Sequence, residues 1–244
     1  MSSSNNVSLV WNGNMYLLSI DSSVPQYLYS YDGQKWNTIS QSSIITKNSP
    51  NKVKWLGSQL SIAGNITTSQ GNTILKSPDG IHYTPLQQKT AIPPLNDIEA
   101  NLEFPNTIYF PRNMMLALGG SLINATKIAY SIDEGITWTP SANSSSVFTT
   151  TVNNACWNGK IWVAVGQGKN TIATSNDGIQ WVGRGSYIFS TAGLCIQWNP
   201  NQSSWLAGGS GTNTLASSFD GVYWSTITNP FLTATNDLLW NGNL

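Results

Sequence analysis

Charge is scarce in this chain of 244 residues: Asp, Glu, Lys and Arg together make up 9%, against roughly a quarter in an average soluble protein. The 11 basic residues equal the 11 acidic ones. No basic surplus exists to neutralise phosphates, which argues against nucleic acid as a partner. A polybasic patch for an anionic membrane is missing as well. Cysteine is limited to Cys156 and Cys195, too few for a disulfide framework. No stretch approaches the roughly 20 apolar residues of a membrane span. The first residues, MSSSNNVSLVWNGNMYLL, carry neither a positive n-region nor a signal-length apolar run. Neither a signal peptide nor a membrane helix is expected, and the compartment stays open between cytoplasm and virion.

Two further scarcities exclude chemistries. A Ser-His-Asp or Cys-His site would depend on His82, the single histidine. Zinc needs about four closely spaced ligands, and none cluster. Helical periodicity of useful length is absent, so Gly166-Gln-Gly168 and Gly208-Gly209-Ser-Gly211 read as hairpin turns rather than phosphate cradles. No cofactor and no metal are expected.

What the chain has is repetition. Five segments share one pattern: Ser30-Tyr-Asp32-Gly33-Gln-Lys-Trp36, Ser77-Pro-Asp79-Gly80-Ile-His-Tyr83, Ser131-Ile-Asp133-Glu-Gly135-Ile-Thr-Trp138, Ser175-Asn-Asp177-Gly178-Ile-Gln-Trp181 and Ser218-Phe-Asp220-Gly221-Val-Tyr-Trp224. The aspartates are 47, 54, 44 and 43 residues apart. Upstream of each lies an apolar run ending in an aromatic: Trp11, Trp55, Tyr109, Trp157 and Trp198, with a sixth, Trp240, near the C-terminus.

The fourth copy reads as four short strands. Ala155-Cys-Trp157 turns at Asn158-Gly159 into Ile161 to Val165. Thr171 to Ser175 follows, and the Asp-Gly step leads into Ile179 to Val182. Four antiparallel strands every 40 to 50 residues are the pattern of propeller blades. The expected fold is an all-β β-propeller of four-stranded antiparallel blades. Five blades are favoured; the alternative is six, the last incomplete. One domain spans 1–244. Its blades run over about 5–42, 50–88, 105–143, 153–186 and 194–228, with an insertion over about 88–105 and an extra strand over 236–244.

The recurring S-x-D-(x)-G-x-x-W resembles the Asp-box, or BNR, repeat of sialidases, sortilin-type receptors, photosystem assembly factors and xyloglucan-cleaving hydrolases. SIDEGITW matches the usual form fully; the other copies lack one residue before the Gly. The longer consensus also resembles repeat proteins encoded by large DNA viruses. The resemblance covers nearly the whole chain. It implies a fold rather than an activity.

In this reading Asp32, Asp79, Asp133, Asp177 and Asp220 are structural, each accepting backbone N–H groups beside a Gly turn. Sialidase activity is argued against because that family uses three arginines and this chain has only Arg112 and Arg184. The insertion carries Asp97, Glu99 and Glu103, candidates for paired-carboxylate glycoside hydrolysis or calcium binding, or else a solvated acidic loop. Phe148, Phe189 and Phe231 each precede a first-strand Trp by nine residues. Hydroxyls follow them, Thr149 to Thr151, Thr191 and Thr233. They are candidates for ligand-binding inter-blade loops, or for packing between blades. The leading function is a non-enzymatic recognition or structural propeller that binds protein or glycan. The alternatives are a glycoside hydrolase using the insertion acids, and an oligomer assembled through the C-terminal strand.

Overall fold

In the computed structural model the described residues are 7–20, 26–39, 45–47, 50–56, 59–64, 67–68, 74–86, 89, 92–93, 95–101, 114–228 and 233–239. They form five four-stranded antiparallel sheets. Sheet one holds β1 (Val7–Trp11), β2 (Tyr16–Ile20), β3 (Gln26–Ser30) and β4 (Asn37–Thr38). A short pair, β5 (Ile45–Lys47) with β8 (Thr67–Thr68), accompanies sheet two, which is β6 (Pro50–Leu56), β7 (Gln59–Gly64), β9 (Ile74–Ser77) and β10 (Thr84–Pro85). Sheet three is β11 (Asp97–Ala100), β12 (Met115–Leu118), β13 (Ile128–Ser131) and β14 (Thr139–Pro140). Sheet four is β15 (Thr151–Trp157), β16 (Trp162–Gln167), β17 (Ile172–Ser175) and β18 (Val182–Gly183). Sheet five is β19 (Ala192–Asn199), β20 (Ser204–Ser210), β21 (Leu215–Ser218) and β22 (Ser225–Thr226). Helix among the described residues is confined to the single turns Ser144–Val147 and Ile123–Ala125. None is long and apolar enough to cross a membrane.

The Ser-x-Asp-Gly turns follow from local chemistry. In the fourth, the Ser175 hydroxyl donates to Asp177 Oδ1 at 2.9 Å and accepts the Gly178 N–H at 2.8 Å. Asp177 Oδ1 accepts the N–H groups of Ile179 and Gln180. Gly178 has φ +70°, a region that only Gly enters without steric cost. Its carbonyl accepts the Trp181 indole N–H at 3.1 Å. The same serine-to-aspartate bond recurs at Ser30, Ser77, Ser131 and Ser218. The third copy accommodates its extra residue by placing Glu134 at φ +59°. Asp32, Asp79, Asp133 and Asp220 likewise accept backbone N–H groups.

Register makes the five sheets comparable. The turn serine pairs with the start of the second strand: Tyr16↔Ser30, Leu60↔Ser77, Met115↔Ser131, Trp162↔Ser175 and Trp205↔Ser218. That residue in turn faces the end of the first strand: Trp11, Trp55, Ala100, Trp157 and Trp198. The third sheet corrects the sequence reading. Its first strand is Asp97–Ala100, so Asp97 and Glu99 belong to a strand and not to an insertion over 88–105. Ala100 stands where the other sheets have an aromatic, so the aromatic landmark in the sequence falls instead on Tyr109. Tyr109 itself, like Glu103 and Arg112, lies outside the described residues.

Apolar clusters join the sheets in order. Met15, Leu17 and Tyr27 of sheet one pack on Val53, Leu75 and Tyr83 of sheet two. Leu56, Ile74 and Leu86 meet Ile98, Met115 and Trp138. Met114, Leu116 and Leu118 meet Ala155, Trp162 and Trp181. Val163, Val165 and Ile172 meet Ile196, Trp205 and Trp224. Both faces of the inner sheets are therefore buried, so strands such as Trp162–Gln167 read as continuous apolar runs.

Residues 233–239 follow sheet five. Ala234 bridges Ser210, and the Thr235 N–H donates to the Gly209 carbonyl at 3.0 Å. This repeats the approach of β15 to sheet three, where Val152 N–H donates to Gly119 O at 3.2 Å. Gly119 and Gly209 occupy the same register, four residues beyond Met115 and Trp205. The segment thus lies in the position of a sixth first strand. Trp240 is outside the described residues.

Candidate functional site

The first strands touch one another in the order β1, β6, β11, β15, β19. Their side chains and those of Asp237 to Leu239 enclose a cleft of about 310 Å³. Side chains alternate along a strand, so two positions per strand face inward together. One position, three residues before the strand's end, holds Ser8, Lys52, Asp97, Asn154 and Cys195. The other, one residue before the end, holds Val10, Lys54, Glu99, Cys156 and Gln197.

These residues bond across sheet boundaries. Ser8 Oγ accepts the Val53 N–H at 3.0 Å, and Asn154 Oδ1 accepts the Ile196 N–H at 2.9 Å. The Asn154 amide also donates to Asp97 Oδ2. Lys54 Nζ reaches Asp97 Oδ2 at 3.1 Å and Glu99 Oε2 at 2.5 Å. At the rim Lys52 Nζ lies 3.6 Å from Asp237 of the C-terminal segment. Asp97 is completely buried, and one ammonium serves two carboxylates. Burial alone would depress the Lys54 ammonium, but Asp97 and then Glu99 outweigh it and hold it above its ordinary value. Burial pushes the Glu99 carboxyl up, with Lys54 opposing. Burial also pushes the Cys195 thiol up to about 12, which keeps it protonated and unreactive at neutral pH.

The structure brings Asp97 and Glu99 together but commits both to Lys54. The two carboxylates needed for acid and base roles are thereby tied into one ion cluster. Lys52, Lys54, Asn154 and Gln197 were missed by sequence reasoning. Aligning the five copies on the end of the first strand, rather than on the turn, would have set them in one column. Among the described residues no group of three His, Cys, Asp or Glu side chains is placed to hold a metal ion.

Phe148 and Phe189 lie elsewhere, and their burial corrects the reading of these two as ligand contacts. Phe148 and Phe189 have no exposed surface. Phe148 lies against Gly166 and Phe189 against Gly209, where a Cβ would come within 2.9 and 2.5 Å of the rings. The absence of a side chain at these two glycines is what admits each ring. Phe148 belongs to the core between sheets three and four, and Phe189 to that between four and five. Enclosed rings offer no face to a ligand. Thr191 and Thr233 are exposed, and Phe231 is outside the described residues.

No protein family and no curated protein sequence matches the chain. Solved structures do. It is similar to YCF48 bound to D1 peptide, with 19% identity and a TM-score of 0.59 over 90% of this chain and 65% of that one. It resembles the GH74 enzyme of Niastella koreensis, with 14% identity and a TM-score of 0.64 over 91% of this chain and 37% of the enzyme. A nidogen/laminin complex gives 12% identity and a TM-score of 0.61 over 87% and 74% of the two chains. The chain thus spans less than two thirds of the first two of these proteins. All are β-propeller proteins. Together with the five sheets, they establish the fold: this chain is a β-propeller of four-stranded antiparallel sheets.

Proposed function

We propose that this chain is a non-enzymatic recognition or structural propeller whose partner is a protein. One observation carries the reading: of the twelve exposed large apolar side chains among the described residues, eight lie on sheet one, on sheet five or on the segment beside it, and four (Ile132, Ile136, Val182 and Tyr187) on sheets three and four. Val7, Leu9, Trp11 and Trp36 of sheet one, Phe219 and Tyr223 of sheet five, and Leu239 beside it are all exposed. Apolar surface rimmed by polar residues marks protein contact. YCF48 bound to D1 peptide and the nidogen/laminin complex are propellers with protein partners, which supports a similar use here. We also take the five Ser-x-Asp-Gly turns to be Asp-boxes, a reading supported by their shared hydrogen bonds. The resemblance to virus-encoded repeat proteins remains an assignment from the sequence pattern alone.

Selection of a random-peptide display library against the folded chain tests this. A converging peptide family that competes for one site is expected. A related set of sugars bound on a glycan array, with no peptide enrichment, would replace the protein reading by the glycan one. The hydrolase reading has less support, because Asp97 and Glu99 are held by Lys54. Release of reducing sugar from a polysaccharide panel, lost in Glu99→Gln, would revive it.

A further inference from the structure

Three of the four sheet-to-sheet contacts share one arrangement. The second strand of one sheet, or the residue leading into it, presents a face to the Ser-x-Asp-Gly turn of the next, while Gly135 of sheet three sits on Leu86 at the end of sheet two. Gly80 sits on Met15 and Leu17; Gly178 sits on Met114 and Leu116; Gly221 sits on Ile161 and Val163. A Cβ at Gly178 would come within 2.7 Å of the Met114 sulfur, and one at Gly221 within 3.0 Å of Val163. The aromatic ending each of these turns is buried: Tyr83, Trp138, Trp181 and Trp224.

Sheets one and five each hold half of a further such contact. Among the described residues, a Cβ at Gly33 of the sheet-one turn would meet only Tyr16 of its own sheet. Its aromatic, Trp36, is 36% exposed where Trp181 is 2% exposed. Sheet five offers the complementary face. Leu206 occupies the register of Leu116 and Val163 yet is only half-buried. It lines a cleft of about 320 Å³ together with Trp198, Phe219, Leu238 and Leu239. Between the two vacant faces, residues 233–239 already lie as a first strand against Gly209.

We propose that this opening is a docking site for a partner polypeptide that adds three antiparallel strands of the same repeat pattern beside residues 233–239. Its Ser-x-Asp-Gly turn sits on Leu206, and its second strand covers Gly33 and Trp36. The occupant is set by continuity with the three interfaces in which Gly80, Gly178 and Gly221 sit on the preceding sheet. A single sheet supplies both missing halves, whereas a second copy of this chain has the other face of its sheet one packed on sheet two and fills only one. Strand pairing gives main-chain hydrogen bonds, and the Leu206 cleft gives specificity. The proposal rests on the protein-partner reading and names the partner's form.

The probe is a synthetic peptide of residues 161–186, which carries the second, third and fourth strands of sheet four. Added to the folded chain, it is expected to give a one-to-one complex by native mass spectrometry. Saturation raises Tm by about 5 °C. Leu206→Glu weakens binding at least about tenfold while the Tm of the free variant stays near wild type. Where that variant does not fold, Leu239→Asp at an exposed position replaces it. No complex at about 100 µM peptide, a weak-affinity limit, overturns the proposal; enrichment of display peptides at another surface would then leave the protein-partner reading standing. A homodimer in light scattering that excludes the peptide overturns it in favour of self-association.

Discussion

Lys54 Nζ lies 3.1 Å from Asp97 Oδ2 and so joins the first strands of sheets two and three by a charge pair whose acidic member is wholly buried. Glu99 closes the cluster at 2.5 Å, and Asn154 extends it to sheet four. Three sheets are thereby pinned at the axis by polar contacts, while their outer parts meet through apolar ones.

The pair makes a direct prediction. Lys54→Met leaves the buried Asp97 and the half-buried Glu99 without a counter-charge, and loss of one member of a buried pair costs about 3–5 kcal/mol. Urea denaturation followed by tryptophan fluorescence should show a loss of about 3 kcal/mol for Lys54→Met. The triple change Lys54→Met, Asp97→Leu, Glu99→Leu should recover most of it. A single variant as stable as wild type would show that water, not Lys54, satisfies the carboxylates.

These contrasts explain what could be read in advance. The turns were legible because every group in them lies within seven or eight residues: Ser175, Asp177, Gly178 and Trp181 bond one another. The strands of sheet four were legible from Asn158-Gly159 and the apolar runs on either side. The axial cluster was not, because it unites Lys54, Asp97 and Asn154 across three sheets, and alternate charges in a strand look like a solvated face. Asp97 and Glu99 were mistaken for loop residues because Ala100 fills the place of an aromatic. The burial of Phe148 depends on Gly166, 18 residues away, and nothing local announces that contact.

Acid should act through the turns. Asp32 is held below its ordinary value by the Lys35 and Gln34 N–H groups, and Asp220 by the N–H groups of Tyr223 and Val222, in the latter against desolvation. At Asp79 and Asp133 desolvation opposes, but hydrogen bonds from His82 and Thr137 prevail. Carboxyls depressed in the folded state stabilise it above their unfolded value of 3.8, and lose that contribution as pH falls through the folded values. Tm from these groups should hold steady at pH 5 and fall below about pH 4. Asp220→Asn should blunt that fall; an unchanged acid limb in this variant would remove Asp220 from the account.

Phe189→Ala tests burial against ligand contact. The ring is fully enclosed against Gly209, and truncation of a buried Phe costs about 3–5 kcal/mol. A fall of Tm by about 10 °C is expected, with circular dichroism at low temperature unchanged. A variant with wild-type Tm would mean that the ring is not packed as described.

Trp36 and Trp181 end equivalent turns and make the same indole bond, to Gly33 O at 3.2 Å and to Gly178 O at 3.1 Å. Their surroundings differ, since Trp181 packs in the core between sheets three and four while Trp36 is 36% exposed. The cost of removing each ring should follow the apolar surface it hides. Trp181→Ala should cost about 3–5 kcal/mol and Trp36→Ala about 1 kcal/mol, measured by urea denaturation of the chain alone. The difference has a structural origin, because Trp181 has a neighbouring sheet over it and Trp36, among the described residues, has none. Repeating both measurements with the sheet-forming peptide bound should raise the cost at Trp36 and leave that at Trp181 unchanged. Equal costs in the free chain would mean that sheet one is already covered.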